Sequence, residues 1–218
     1  MASEPSRPGH IGLITGLRAE AKLAQPLGWD SLAGGGTPEG ATRAAAILIR
    51  RGATALISFG LAGGLDPALK PGTILVPRAV NFNNTINFCD SALAQKLGGM
   101  TDHLLLGGTT ILATAAEKSH AWHITHAHAI DLESAAIAEA AQAHNIPFAI
   151  LRAICDPAHR NLAPAALHAL NSGGEINLLR VLGALLRAPG QLPALISLAR
   201  DAALARRALT HRVRQIQT

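Results

Sequence analysis

Three acids fall where acids can do chemistry. The stretch Ala129 to Arg160, AIDLESAAIAEAAQAHNIPFAILRAICDPAHR, reads as buried strand, helix and buried strand. Asp131 and Glu133 follow the first strand and Asp156 follows the second. In open α/β sheets, ligands collect in the crevice outside the carboxyl ends of strands. Asp156, between the apolar run FAILRAIC and Pro157, suits either a turn opener or a general acid whose pKa is raised by partial burial. Glu133 lies in the first helical turn, where the macrodipole favours an acid. Its carboxylate can also accept two hydrogen bonds at once, which suits paired sugar hydroxyls. Glu20, just past the first strand, reads on its own as an exposed helix acid.

Ser58 to Gly64, SFGLAGG, forms a glycine-rich loop after a buried strand. Its glycines permit close backbone approach and amides aimed at an anion or a sugar. It is neither a P-loop nor a dinucleotide fingerprint, and a tight turn between strands is the plain alternative. His120, His123, His126 and His128 lack metal-ligand spacing, so no metal is expected. Cys155 has no base to pair with and reads as a buried thiol.

These residues must be held by an alternating pattern. His10 to Gly16 is a short strand and Arg18 to Ala24 a helical stretch. Thr37-Pro38-Glu39 opens a helix reaching Arg51, with threonine as N-cap and proline at the first helical position. Thr54 to Phe59 and Thr73 to Pro77 read as strands, Asn81 to Asp90 as a polar loop, and Ser91 to Leu97 as a helix. Leu104 to Ala113 contains one or two strands, Leu132 to His144 a helix, and Pro147 to Ile154 a buried strand. Beyond Ala163 the pattern is helical, broken at Ala188-Pro189-Gly190 and Leu192-Pro193. Strands alternating with helices predict a three-layer α/β/α architecture in one domain over residues 1–218, with 175–218 as a basic helical C-terminal extension.

Composition narrows the classes. The 218 residues are 49% apolar and 15% charged, which excludes disorder. No apolar run approaches a membrane span, and MASEPSRPGH has no secretory apolar core. With two cysteines and no disulfide framework, a cytoplasmic location is expected. Seven arginines face one acid, Asp201, between Arg180 and Arg214. Such a segment can meet nucleic acid, a membrane surface or water. Aromatics are only 3% and tyrosine is absent, so base-stacking platforms are poorly supplied and nucleic acid is not expected as a partner.

Four segments taken in order resemble the purine nucleoside phosphorylase and nucleosidase superfamily: TGLRAE (Thr15 to Glu20), SFGLAGGLDPALKPGTILVP (Ser58 to Pro77), DLES (Asp131 to Ser134) and LRAICDPA (Leu151 to Ala158). Their order and spacing look like the methylthioadenosine/S-adenosylhomocysteine nucleosidase branch. The AGGGT segment (Ala33 to Thr37), the SFGLAGGLDP loop and the arginine-rich RAPGQLPALISLARDA (Arg187 to Ala202) are most similar to the hopanoid-associated phosphorylases, which remove adenine from adenosylhopane. The resemblance implies a nucleoside phosphorylase-like central mixed sheet. It implies Asp156 as the acid that protonates adenine N7, Glu133 as the ligand of the ribose 2′- and 3′-hydroxyls with Leu132 beside the sugar, and Glu20 as the residue that activates water. Gly60, Leu61, Ala62 and Gly63 would lie under the ribose and the nucleophile.

Breaking an N-glycosidic bond asks for these groups, because a protonated base leaves readily and carboxylates stabilise an oxocarbenium-like sugar. Leu61 departs from the family, which often has a serine there to hold phosphate or water. The family's recognisable phosphate-binding arginine set is also not evident; Arg18 and Arg43 are the candidates. Phosphate as co-substrate and water are thus both open as nucleophile, and no other cofactor is expected. Phe82, Phe88 and Trp122 are candidates for stacking on the base. The leading expectation is adenine release from a 5′-substituted adenosine, adenosylhopane first, by a homo-oligomer whose basic C-terminal segment touches the inner membrane surface. The alternatives are a general methylthioadenosine/S-adenosylhomocysteine nucleosidase and a non-catalytic nucleoside-binding protein.

Overall fold

The computed structural model describes residues 9–164 and 189–217. Arg180, Arg187 and the helical pattern expected over 165–188 lie outside the described residues, as do the first eight residues. The described strands are β1 (Ile11–Thr15), β2 (Asp30–Ala33), β3 (Ala55–Gly64), β4 (Ile74–Leu75), β5 (Pro77–Phe82), β6 (Thr85–Phe88), β7 (Thr101–Gly107), β8 (Ala129–Asp131) and β9 (Phe148–Asp156). The described helices are α1 (Arg18–Ala24), α2 (Pro38–Arg50), α3 (Ser91–Lys96), α4 (Ala115–Thr125), α5 (Ser134–Ala143) and α6 (Leu192–Ile216).

One mixed sheet runs through the described residues in the order β2-β1-β3-β8-β7-β5-β6, with β9 also pairing β3 and β4. β3 is its axis. It pairs in parallel with β1 on one side and with β9 on the other, and its last residues, Gly63 and Gly64, pair antiparallel with β8. Successive side chains of a strand point to opposite faces, and this alternation divides the core. Ile14, Leu56 and Ile150 pack with α2 and α5, whereas their neighbours Leu13, Ile57 and Leu151 pack with α1, α3 and α6. Helices therefore cover both faces of the sheet, as the alternating pattern predicts.

Local chemistry sets the helix starts. Thr37 caps α2 by accepting from the Gly40 amide at 3.1 Å, with Pro38 in the first turn. Thr114 and Glu117 form a reciprocal capping box at the start of α4. Pro193 stands in the first turn of α6, where its missing N–H costs nothing, so Leu192-Pro193 begins this helix instead of breaking it.

Three expectations are corrected. SFGLAGG is not a loop: β3 continues to Gly64, because the glycines can pair on both sides, with β9 through Gly63 and with β8 through Gly64. Asn81 to Asp90 is mostly the hairpin of β5 and β6, joined by Asn83-Asn84 at φ of 49° and 63°. Asparagine tolerates this left-handed conformation, so a polar dipeptide makes a two-residue hairpin turn. Leu104 to Ala113 holds only the end of one strand, and β2 is a strand that no sequence signal announced.

The described part of the C-terminal segment packs on the sheet. Asp201, Ala205, Leu209 and Val213 of α6 are buried against the sheet, and the Arg160 guanidinium pairs with Asp201. Leu209→Ala is accordingly expected to lower unfolding free energy by about 2–5 kcal/mol in urea denaturation. A loss within experimental error would mean that α6 is dispensable for folding.

Candidate functional site

The sheet brings its polar residues to the carboxyl end of β3 and β9. Arg152 sits in the middle of β9, flanked by the apolar residues Phe148 to Leu151 and Ala153 to Cys155, with a side chain 1% exposed. A buried guanidinium needs counter-charges, and it has them. Its Nε lies 2.7 Å from Asp131 Oδ2, and its Nη2 donates to Glu133 Oε2 at 3.0 Å and to Ser58 Oγ at 2.6 Å. Nη1 donates to the Leu61 carbonyl at 3.2 Å. The Ser58 and Ser134 hydroxyls are 2.8 Å apart, and Ser134 donates to Asp131 Oδ2 through a very short bond.

Asp131 has a second task. Its Oδ1 accepts from the amides of Glu133 (3.2 Å) and Ser134 (2.9 Å), satisfying donors at the start of α5 that would otherwise be orphaned. Glu133 is the residue before that helix, not part of its first turn, and its side chain makes no capping bond. It is left free to face the site.

Glu20 joins the cluster from α1. Its Oε1 accepts from the Leu61 amide at 2.9 Å and its Oε2 from the Leu17 amide at 2.8 Å. Two glycines make room. A Cβ on Gly60 would stand 2.8 Å from both Glu20 Oε1 and Arg152 Nη1, and one on Gly16 would stand 2.7 Å from Glu133 Oε1 and 3.4 Å from Glu20 Oε2. Gly60 is thus required by the close approach of two polar side chains, Glu20 and Arg152, to the strand.

Burial pushes the Glu20 carboxyl above its ordinary range, against the pull of Arg152. Glu133 is pushed up to about 7, first by burial and then by Asp131 and Glu20, with Arg152 opposing. Burial works against the Arg152 cation, but Asp131, Glu133 and Glu20 outweigh it and hold the cation firmly charged.

Asp156 ends β9 on the other side of the same cavity. Its Oδ2 is 2.5 Å from Lys118 Nζ, and Oδ1 is buried with no partner among the described residues. Burial raises its pKa, against the pull of Lys118. The cavity encloses about 260 Å³ and is lined by Asp131, Glu133, Asp156 and Lys118, with Leu61, Ala62, Gly63 and Leu132 among its apolar wall. Few polar groups converging in an apolar cleft is the usual form of a small-ligand site.

The predicted residues divide. Glu133, Leu132, Leu61, Ala62, Gly63 and Asp156 line the cavity; Glu20 and Gly60 stand next to it in the Arg152 cluster. Arg18 and Arg43 are exposed on α1 and α2 and do not line it. Phe82, Phe88 and Trp122 do not line it either; Phe88 is 69% exposed, and Trp122 packs edge-on against His128. The His128 Nδ1 accepts from the Leu104 amide, and burial pushes the Cys155 thiol up to about 12. Sequence reasoning passed over Arg152, Ser58, Ser134 and Lys118. A lone arginine inside FAILRAIC was a usable signal, since a charge in a buried strand must be paired. Lys118 gave none, because Glu117-Lys118 looks like a solvated pair on a helix.

Comparison with known proteins agrees with this architecture. The model of the phosphorylase superfamily matches residues 31–103 and 104–187. A search among curated proteins finds no significant sequence match. Among solved structures, a putative 5′-methylthioadenosine/S-adenosylhomocysteine nucleosidase from Francisella philomiragia superposes with a TM-score of 0.69 at 15% identity, covering 95% of this chain and 97% of that one. The corresponding nucleosidase from Colwellia psychrerythraea, in complex with adenine, gives 0.63 at 21% identity over 79% and 94%. Futalosine hydrolase from Helicobacter pylori gives 0.65 at 13% identity over 95% and 98%. At these identities the likeness is one of fold.

A carboxyl raised in the folded state favours folding while it is protonated, and that contribution is lost as pH rises through its folded pKa. For Glu133 the loss spans about 4.5 to about 7. The melting temperature is expected to fall across this window, and Glu133→Gln to flatten the fall, with Glu20 and Asp156 supplying the remainder. Parallel melting-versus-pH curves for the two proteins would refute the assignment.

Proposed function

We propose that this chain, which belongs to the phosphorylase superfamily, hydrolyses the N-glycosidic bond of a 5′-thio-substituted adenosine and releases adenine. One observation carries the reading: a single cavity holds a raised-pKa Asp156 at one side and Glu133 at another, with the Glu20–Arg152 pair adjoining it at Gly60. Asp156 gives a proton to adenine N7 as the C1′–N9 bond breaks, the bonding electron pair leaving with the base. Glu133 accepts from the ribose 2′- and 3′-hydroxyls and offsets the positive charge that develops on the sugar. Glu20 takes a proton from the water that adds to C1′, and Arg152 holds Glu20 and Glu133 in place.

Water is favoured over phosphate on charge. Near Gly60 one buried guanidinium already serves Asp131, Glu133 and Glu20, and a phosphate dianion would add to an excess of negative charge. Arg18 and Arg43, exposed on the helices, do not line the cavity. The described solved structures, two of them named for methylthioadenosine/S-adenosylhomocysteine nucleosidases, support this branch over the hopanoid-associated one.

Adenosylhopane remains a second reading because Ile111, Leu112, Leu162 and Leu198 give the cavity an apolar wall. Leu192, Ile196 and Leu204 are also exposed on α6, beside exposed Arg200, Arg207 and Arg214. Contact with an inner membrane surface, from the cytoplasmic side, goes with that reading. No described helix is long and apolar enough to cross a membrane.

The test is adenine release from methylthioadenosine and from 5′-alkyl adenosines of increasing length, with and without phosphate. Release without phosphate, yielding free sugar, is expected, with Asp156→Asn lowering kcat by about 10²–10⁴-fold in protein that circular dichroism shows to be folded at the assay temperature. Release only with phosphate would make the reaction phosphorolysis. Turnover that improves steadily with chain length would favour the lipid-linked substrate. Tight adenosine binding without any release would instead favour a binding protein.

A further inference from the structure

Among the described residues Lys118 is the second fully buried cation, after Arg152, and nothing in the mechanism above uses it. It comes from α4, 38 residues before Asp156 in the chain, and its side chain is 1% exposed. Its Nζ meets three acceptors: Asp156 Oδ2 at 2.5 Å, the Arg160 carbonyl at 2.9 Å and the Pro157 carbonyl at 3.2 Å. Three acceptors and no donor around one nitrogen require three N–H bonds, so the group is an ammonium.

We propose that Lys118 is the positioning residue of the general acid: it clamps one oxygen of Asp156, so that the proton sits on the other oxygen and is released to the base from there. The inference rests on the reading of Asp156 as the acid. Two opposed influences make it necessary. Burial alone would hold Asp156 protonated and make it a weak acid, whereas an ammonium within hydrogen-bond reach favours the carboxylate. A useful acid has a pKa near the working pH, and the pair of a dry pocket and a buried ammonium works toward that balance. The clamp also removes rotation about the carboxyl. Oδ2 is occupied, and Oδ1, buried with no partner among the described residues, is the oxygen left to carry the proton.

The surrounding charges are accounted for. Arg160, in the turn after β9, lowers the pKa of Asp156, and Asp201 of α6 raises it. These two pair with each other, so much of their effect cancels. Cys155, the neighbour on β9, is held neutral by burial. Glu117, beside Lys118 on α4, is engaged with Thr114 at the helix start. Across the cavity, Asp131 and Glu133 are committed to Arg152. Lys118 is therefore the charge that Asp156 feels through direct contact.

The experiment compares the wild type with Lys118→Gln, which keeps donors for the two carbonyls and removes the charge, with Lys118→Met as a second neutral variant. Lys118→Arg keeps the charge. An acid that must be protonated loses activity as pH rises through its pKa. Removing Lys118's charge raises that pKa, so the alkaline limb of the kcat/KM profile for methylthioadenosine is expected to move up by about one to three pH units. At neutral pH kcat is expected to fall by about 10–100-fold, within what a misplaced general acid costs. Lys118→Arg leaves the limb in place. In an Asp156→Asn background, Lys118→Gln costs no further activity, as expected of residues that act as one unit.

An unmoved alkaline limb, or the same fractional loss in both backgrounds, would overturn the proposal and leave Lys118 with a packing role. Should the wild type release no adenine, the functional reading falls by itself. The inference is then decided by the carboxyl titration of Asp156, followed by carbon NMR on ¹³C-labelled aspartate. A midpoint that rises in Lys118→Gln supports it, and an unchanged midpoint overturns it.

Discussion

A guanidinium shut away from water survives only if its charge and its donors are met inside the protein, and Arg152 organises the cavity by demanding that. Asp131, Glu133, Ser58 and the Leu61 carbonyl each supply an acceptor, and Glu20 adds its charge. Those groups arrive from β3, β8, the start of α5 and α1. The ion cluster thus holds four elements in one register at the carboxyl end of β3. Breaking it by removing one partner would leave a buried charge unpaired, the costly outcome for any such cluster.

The cluster also separates the acids by environment. Asp131 is spent on Arg152 and on the amides at the start of α5, whereas Glu133 is raised to about 7. Asp156 stands apart from Arg152 and answers to Lys118. Carboxyls in one cavity are given different proton affinities by which buried cation each one meets. That is the general route by which a site assigns acid and base roles to chemically similar groups.

Glycine placement makes the approach geometrically feasible. Gly60 and Gly16 stand where a Cβ would collide with Glu20, Glu133 or Arg152. Strand β3 can still pair with β9 at Gly60 because pairing uses only the backbone. The same residues that looked like a flexible loop therefore form a rigid strand floor beneath the polar cluster, and rigidity is what positions reactive groups well.

Sequence by itself determined the layers and most of the acids. Continuous apolar runs marked β1, β3 and β9, threonine and proline marked the start of α2, and Glu133 and Asp156 were legible because strand ends precede them. What only the tertiary structure decided were the partnerships. Arg152 and Ser58 lie on neighbouring strands 94 residues apart in the chain, and Lys118 reaches Asp156 across 38 residues. Periodicity reports which face of an element is apolar, but it carries no record of which buried charge will meet which. The Asn83-Asn84 turn and the strand nature of Gly60 to Gly64 were missed for a related reason. Polar and glycine residues read as loop locally, and only pairing with a distant strand makes them sheet.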